Sequence, residues 1–161
     1  MRRATAGFTL VEMIVTISVM AIMASIGAAS YTSAMASTRM SGEINVLLGS
    51  LSLARSEAIK RGQSTSVCQQ SGAVCGTGTS WASGWYVMLN ATTQPLQITP
   101  GVTHGDTLVS SLGTYPQFTP AGYTFFTGTL SLHDSNSTPG LYRCIVFNAG
   151  SWTTQQGSSC P

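Results

Sequence analysis

Hydrophobic and polar positions divide the chain into three stretches. From Phe8 to Ala29 about 22 residues run with hardly a polar break and a single charge, Glu12. At 1.5 Å rise per residue, that length crosses a bilayer core as one helix. Farther on, the apolar positions thin to a stripe, Ile44, Leu47, Leu48, Leu51 and Ala58, spaced i, i+3, i+4, i+7 and i+14. Such spacing predicts that the helix continues with one face packed on a sheet. Gly62 is its predicted stop. Unbroken from Phe8 to Arg61, the helix would be roughly 80 Å long.

After Gly62 the pattern changes to short alternating runs punctuated by Gly, Pro, Ser and Asn. Candidate strands are Thr65–Cys68, Trp85–Leu89, Tyr123–Thr127, Thr129–His133, Leu141–Phe147 and Ser151–Gln155. Hairpin turns are predicted at Gly128 and at Asn148-Ala149-Gly150. The segment from Asn90 to Gly122, with Pro95, Pro100, Pro116 and Pro120, reads mostly as loop. The predicted class is α+β: a long N-terminal helix, transmembrane in its first half, packed on a small antiparallel sheet.

Charge orients the span. The short basic flank Met1-Arg2-Arg3 ahead of the apolar run predicts a cytoplasmic N-terminus with the rest of the chain outside. A secretory signal would have a shorter apolar core and end in a small-residue cleavage site, whereas here the polar break at Ala6-Gly7-Phe8 comes before the run. Glu12 costs about 2.5 to 3.5 kcal/mol in such a segment unless it finds a partner. No basic residue within the span supplies one. Position alone leaves a second option, a side chain that snorkels to the cytoplasmic headgroups.

Composition narrows the class. Only 7% of residues are charged, which argues against an electrostatic nucleic-acid binder and suits a secreted or surface domain. Without Arg2 and Arg3, the bases Arg39, Arg55, Lys60, Arg61 and Arg143 balance Glu12, Glu43, Glu57, Asp106 and Asp134. Four cysteines, Cys68, Cys75, Cys144 and Cys160, all lie beyond the apolar run, which predicts two disulfides in an oxidising compartment. Three connectivities are open, of which Cys68 with Cys75 and Cys144 with Cys160 is the simplest. Zinc is the competing use of these thiols, but neither interval has the close spacing of zinc knuckles.

The segment Gly7-Phe8-Thr9-Leu10-Val11-Glu12 resembles the processing motif of type IV prepilins and type II secretion pseudopilins. That resemblance implies that a prepilin peptidase cuts between Gly7 and Phe8 and methylates the new amine of Phe8. It also implies that Glu12 pairs with the N-terminal amine of a neighbouring subunit, so the missing cation comes from another chain. Farther on, LARSEAIKRGQSTSVC (residues 53–68) and WASGWYVML (residues 81–89) resemble the GspH/FimT group of minor pilins and pseudopilins, with its pilin-like fold. Ala29 departs from the pattern, since many type IV pilins carry proline there. The implied organisation is a leader at 1–7, a transmembrane and filament-core helix at 8–30, its periplasmic continuation at 31–62, and a β-rich domain at 63–161. Implied partners are other pilins or pseudopilins, the prepilin peptidase and an inner-membrane assembly platform. The implied location is the inner membrane, with the C-terminal domain in the periplasm, and then the filament.

Chemistry is sparse. His133-Asp134 and His104 with Asp106 are the only acid–base pairings worth naming, and both sit in polar, turn-like sequence without a nucleophile context. No catalytic residue, metal site or cofactor is expected. Trp81, Trp85, Tyr86, Phe125 and Phe126 fit core or subunit packing better than a base-stacking platform. Arg55 falls close to the apolar stripe, its stem expected to pack while its guanidinium reaches the edge. Some FimT-like pilins bind DNA through a Gly-Arg-x-Arg motif near the C-terminus. Here Gly150 is followed by Ser151, Trp152 and Thr153, and weak or absent duplex binding is predicted. The predicted role is a minor pilin that helps initiate or cap a type IV pilus. A type II secretion pseudopilin is the alternative, ahead of a DNA-uptake receptor.

Overall fold

A computed structural model describes residues 7–72, 74–90, 95–111 and 114–161, with side chains omitted at 27–29. Most of the expected leader, and the side chain of Ala29, therefore lie outside the described residues. One helix, α1 (Leu10–Arg61), spans 52 residues. It ends as the sequence predicts: Gly62 adopts φ +63°, and the Gln63 N–H reaches back to the Ala58 carbonyl at 3.3 Å. This six-to-one bond around a left-handed glycine is the Schellman stop. The chain divides into two compact units, one through Ala36 and one from Ser37 to Pro161.

In the second unit nine strands follow the helix. These are β1 (Thr65–Ser71), β2 (Val74–Gly76), β3 (Gly84–Leu89), β4 (Pro95–Pro100), β5 (Thr107–Ser110), β6 (Gln117–Phe118), β7 (Gly128–His133), β8 (Tyr142–Asn148) and β9 (Ser151–Gly157). They form two antiparallel sheets rather than one. The first is ordered β2-β1-β3-β4 with β6 also paired to β1, and the second β5-β7-β8-β9. The helix buries Met40, Leu47, Leu51, Ala54 and Ala58 in one core with Val67, Trp85 and Val87 of the first sheet and Leu130, Leu132, Ile145 and Phe147 of the second. Leu48 of the predicted stripe is only half-buried, while Met40 and Ala54 complete the face.

Two expectations need correction. Tyr123–Thr127 is not a strand: its side chains alternate between exposed and buried, but the backbone makes one isolated bridge, Thr124 with Phe118. No hairpin therefore turns at Gly128, which opens β7 instead. The segment from Asn90 to Gly122, though mostly loop as expected, also holds three short strands that the sequence reading lacked, β4, β5 and β6. By contrast, the second predicted hairpin is present, with β8 and β9 paired in unbroken register from Tyr142↔Gly157 to Asn148↔Ser151.

The Trp-x-x-Gly-Trp run has a packing reason. The Gly84 N–H closes a turn on the Trp81 carbonyl at 3.0 Å, placing both indoles inside at 1% and 2% exposure. Gly84 has φ +116°, and a Cβ there would lie 2.4 Å from the Thr99 carbonyl oxygen of β4, so only glycine fits.

Candidate functional site

The N-terminal unit carries the residues of the motif. Gly7 and Phe8 precede the helix and are exposed. Thr9 caps it: its hydroxyl accepts the Glu12 N–H at 3.2 Å, and its carbonyl accepts the Met13 N–H at 3.2 Å. Glu12 thus occupies the third helical position, where a carboxylate faces the positive end of the helix dipole. Its exposed side chain has no bonded partner among the described residues. The cap carries a local signal, Thr-x-x-Glu ahead of an apolar run.

Between Phe8 and Ile26 every large apolar side chain is 47–76% exposed. The helix is long and apolar enough to cross a membrane, with a mean hydropathy of 2.1 over its best window. Its hydroxyls are satisfied internally: Thr16, Ser18 and Ser25 donate to the carbonyls of Met13, Ile14 and Ile22 at 2.9, 2.7 and 2.7 Å. Such back-bonding hides polar groups that lipid could not solvate.

In the second unit the cysteines pair as Cys68–Cys75 and Cys144–Cys160, with Cα separations of 5.3 and 5.6 Å. The first ties β1 to β2, and the second ties β8 to the chain beyond β9. Asp106, proposed as a partner for His104, instead holds Arg39 of the helix through two bonds of 2.9 Å. Hydrogen bonding to Asp106 raises the Arg39 pKa against the opposing effect of burial. Glu43, one turn on, accepts the N–H and hydroxyl of Thr103 at 3.0 and 2.7 Å. These long-range pairings carry no spacing signal and were not anticipated. His133 stacks on Tyr142 with ring centroids 5.2 Å apart, and Asp134 accepts the Thr138 N–H and hydroxyl at 2.7 Å each. Burial would push the Asp134 pKa upward, but these bonds prevail and lower it.

The two histidine–aspartate pairings are therefore turn and core contacts. Among the described residues no cluster of three or more His, Cys, Asp or Glu could hold a metal ion. Trp81, Trp85 and Phe126 are core residues, Tyr86 is half-buried with its hydroxyl on the Gly72 carbonyl, and Phe125 is exposed. Arg55 behaves as its position suggests, with its guanidinium carbon 5.9 Å from the Trp152 ring centre. Thr153, Thr154, Gln155 and Gln156 present an exposed, uncharged surface on β9.

Comparison with known proteins agrees with this architecture. A family profile described as "Type II transport protein GspH" matches residues 43–151, and one described as "Prokaryotic N-terminal methylation motif" matches residues 2–28. Two crystal forms of the type IV minor pilin FimU from Pseudomonas aeruginosa share the fold, with TM-scores of 0.57 and 0.56 at 19% and 21% identity. Each alignment covers 76% of this chain, and 90% and 94% of the respective FimU chains. No curated protein matches the sequence. With the GspH profile spanning most of the chain and the methylation motif placed over the start of the apolar helix, the protein belongs to the GspH family.

Proposed function

We propose that the chain is a minor pilin subunit that is built into a bacterial type IV pilus and helps to initiate or cap it. The observation that carries this proposal is the apolar helix whose large side chains from Phe8 to Ile26 are left uncovered, headed at its third position by a carboxylate with no partner among the described residues. A prepilin peptidase removes residues 1–7 and methylates the amine of Phe8. The helix anchors the subunit in the inner membrane, with the disulfide-braced domain in the periplasm, until the subunit is transferred to the filament. There Glu12 accepts the N-terminal ammonium of a neighbouring subunit, which offsets the cost of holding a carboxylate in an apolar setting. The protein works through subunit contacts and needs no catalytic group. The β9 surface lacks the basic residues that phosphate contacts require, so a DNA-receptor role is not supported.

The description of the matching family, a type II transport protein, favours a second reading as a pseudopilin of a type II secretion system. Deleting the gene and scoring surface pili, DNA uptake and exoprotein secretion in one strain separates the readings. Loss of pili with intact secretion supports the minor pilin, and loss of secretion alone supports the pseudopilin. A Glu12→Ala variant is expected to be processed normally but to drop out of filaments. Its incorporation at the normal level would remove the pairing role.

A further inference from the structure

Among the described residues of the second unit, Arg39 and Arg143 are both largely buried, and only Arg39 has a counterion. Arg39 is paired twice with Asp106. Arg143, 6% exposed, bonds only to neutral oxygens: the carbonyls of Gly140 and Tyr142 at 3.3 and 3.2 Å, and the hydroxyls of Ser37 and Ser41 at 3.0 and 3.5 Å. Burial lowers its pKa, and no carboxylate counters the effect. A buried cation without a counterion is costly to hold. Arg143 also lines an open groove of about 200 Å³ whose polar wall is Ser41, Asn45, Thr154, Gln155 and Gln156. The amides of Asn45, Gln155 and Gln156 and the hydroxyl of Thr154 bring donors beside a guanidinium whose own bonds go to neutral oxygens at 3.0–3.5 Å, over a floor that includes Ile44 and Leu48, a setting that suits a carboxylate.

We propose that this groove is the docking site for an aspartate or glutamate side chain presented by a different subunit of the same filament. The inference rests on the assembly role proposed above. A second copy of this chain is a poor donor because its own acids are held inside the fold or the apolar run: Asp106 by Arg39, Asp134 by Thr138, Glu57 by Arg61, Glu43 by Thr103 through one oxygen while its other oxygen is buried, and Glu12 in the apolar run. A lipid headgroup is also a poor match, since membrane-surface sites use clusters of bases and this groove has one. The occupant must bring the charge that the chain lacks here.

The test uses the full chain in its native membrane, with a photo-crosslinkable residue at Asn45 in the groove or, as a control for assembly, at Val19 in the apolar helix. Crosslinks from Asn45 are expected to map to a pilin peptide containing Asp or Glu. Arg143→Gln should cut their yield by about tenfold or more, Arg143→Lys should keep part of it, and the yield from Val19 should not change. Arg143→Glu combined with a lysine at the mapped acid should restore it. Thermal melting of Arg143→Gln should stay within about 4 °C of the parent. Crosslinks to a second copy, to lipid alone or to a peptide without an acid would overturn the proposal, as would a yield indifferent to Arg143→Gln. A collapse in melting temperature would assign Arg143 to the fold instead. If Val19 also captures no pilin, the assembly role itself fails.

Discussion

The two units treat apolar side chains in opposite ways. Between Phe8 and Ile26 the helix leaves its large apolar side chains uncovered. From Ser37 onward the same helix buries Met40, Leu47, Leu51, Ala54 and Ala58 completely or nearly so against two sheets. One half is apolar enough to cross a membrane and stays uncovered, while the other is covered by its own chain. Substitutions in the buried half should therefore change stability, and substitutions in the uncovered half should leave it unchanged.

The largest expected contrast comes from emptying each half in turn. Trp81→Ala removes a side chain that is 1% exposed and should cost about 3–5 kcal/mol, read by denaturation of the full chain in detergent. Val19→Ala, at a site 47% exposed, should leave the midpoint unmoved; an equal shift at both sites would mean that the apolar half has a core of its own. Because the Trp81 Nε1–H is buried without a partner, Trp81→Phe should recover much of the loss. Next in size are the covalent ties. By loop entropy, opening Cys144–Cys160, 16 residues apart, should cost about 3 kcal/mol, and opening Cys68–Cys75, 7 apart, about 2 kcal/mol. Single and paired Cys→Ser variants measured without reductant test that order.

A smaller effect is expected at the Arg39–Asp106 pair. Asp106→Asn leaves a guanidinium facing a neutral amide; since the Arg39 side chain is 26% exposed, the cost should be about 2 kcal/mol rather than that of a fully buried pair. Adding Arg39→Met should return part of it in a double-mutant cycle. The smallest is a pH effect. Asp134 has a lowered pKa in the folded chain, so its contribution is full above the unfolded carboxylate value of about 4 and is lost as pH falls through the folded value. Melting temperature should therefore drop less steeply below about pH 4 in Asp134→Asn than in the parent. Equal slopes would show that other carboxylates govern the acid limb.

What could be read from sequence follows from which signals are local. The apolar run, the Gly62 stop and the β8–β9 turn each depend on a few adjacent residues, and each was legible. Strand β4 was not, because Pro95 and Pro100 bracket it and proline argues for loop. Both prolines sit at the ends of an edge strand paired only with β3, where a missing N–H is tolerated. Tyr123–Thr127 shows the reverse error: its alternation of buried and exposed positions is real, but alternation cannot reveal whether a neighbouring strand is present to bond it. Gly7, Phe8 and Glu12 were legible as a motif because they lie within a few residues of one another. Arg39 with Asp106 and the unpaired Arg143 were not, because their meaning depends on partners 67 and 106 residues away.

The Cys144–Cys160 bridge has a mechanical consequence. Strand β9 is joined to β8 by a tight turn at one end, and the bridge staples the chain just past its other end back onto β8. The edge strand is thus closed into a covalent loop and cannot peel away bond by bond from a free end. Tension applied beyond Cys160 passes through the bridge to Cys144, so the turn and β9 inside the loop are bypassed and their ladder is shielded from pulling.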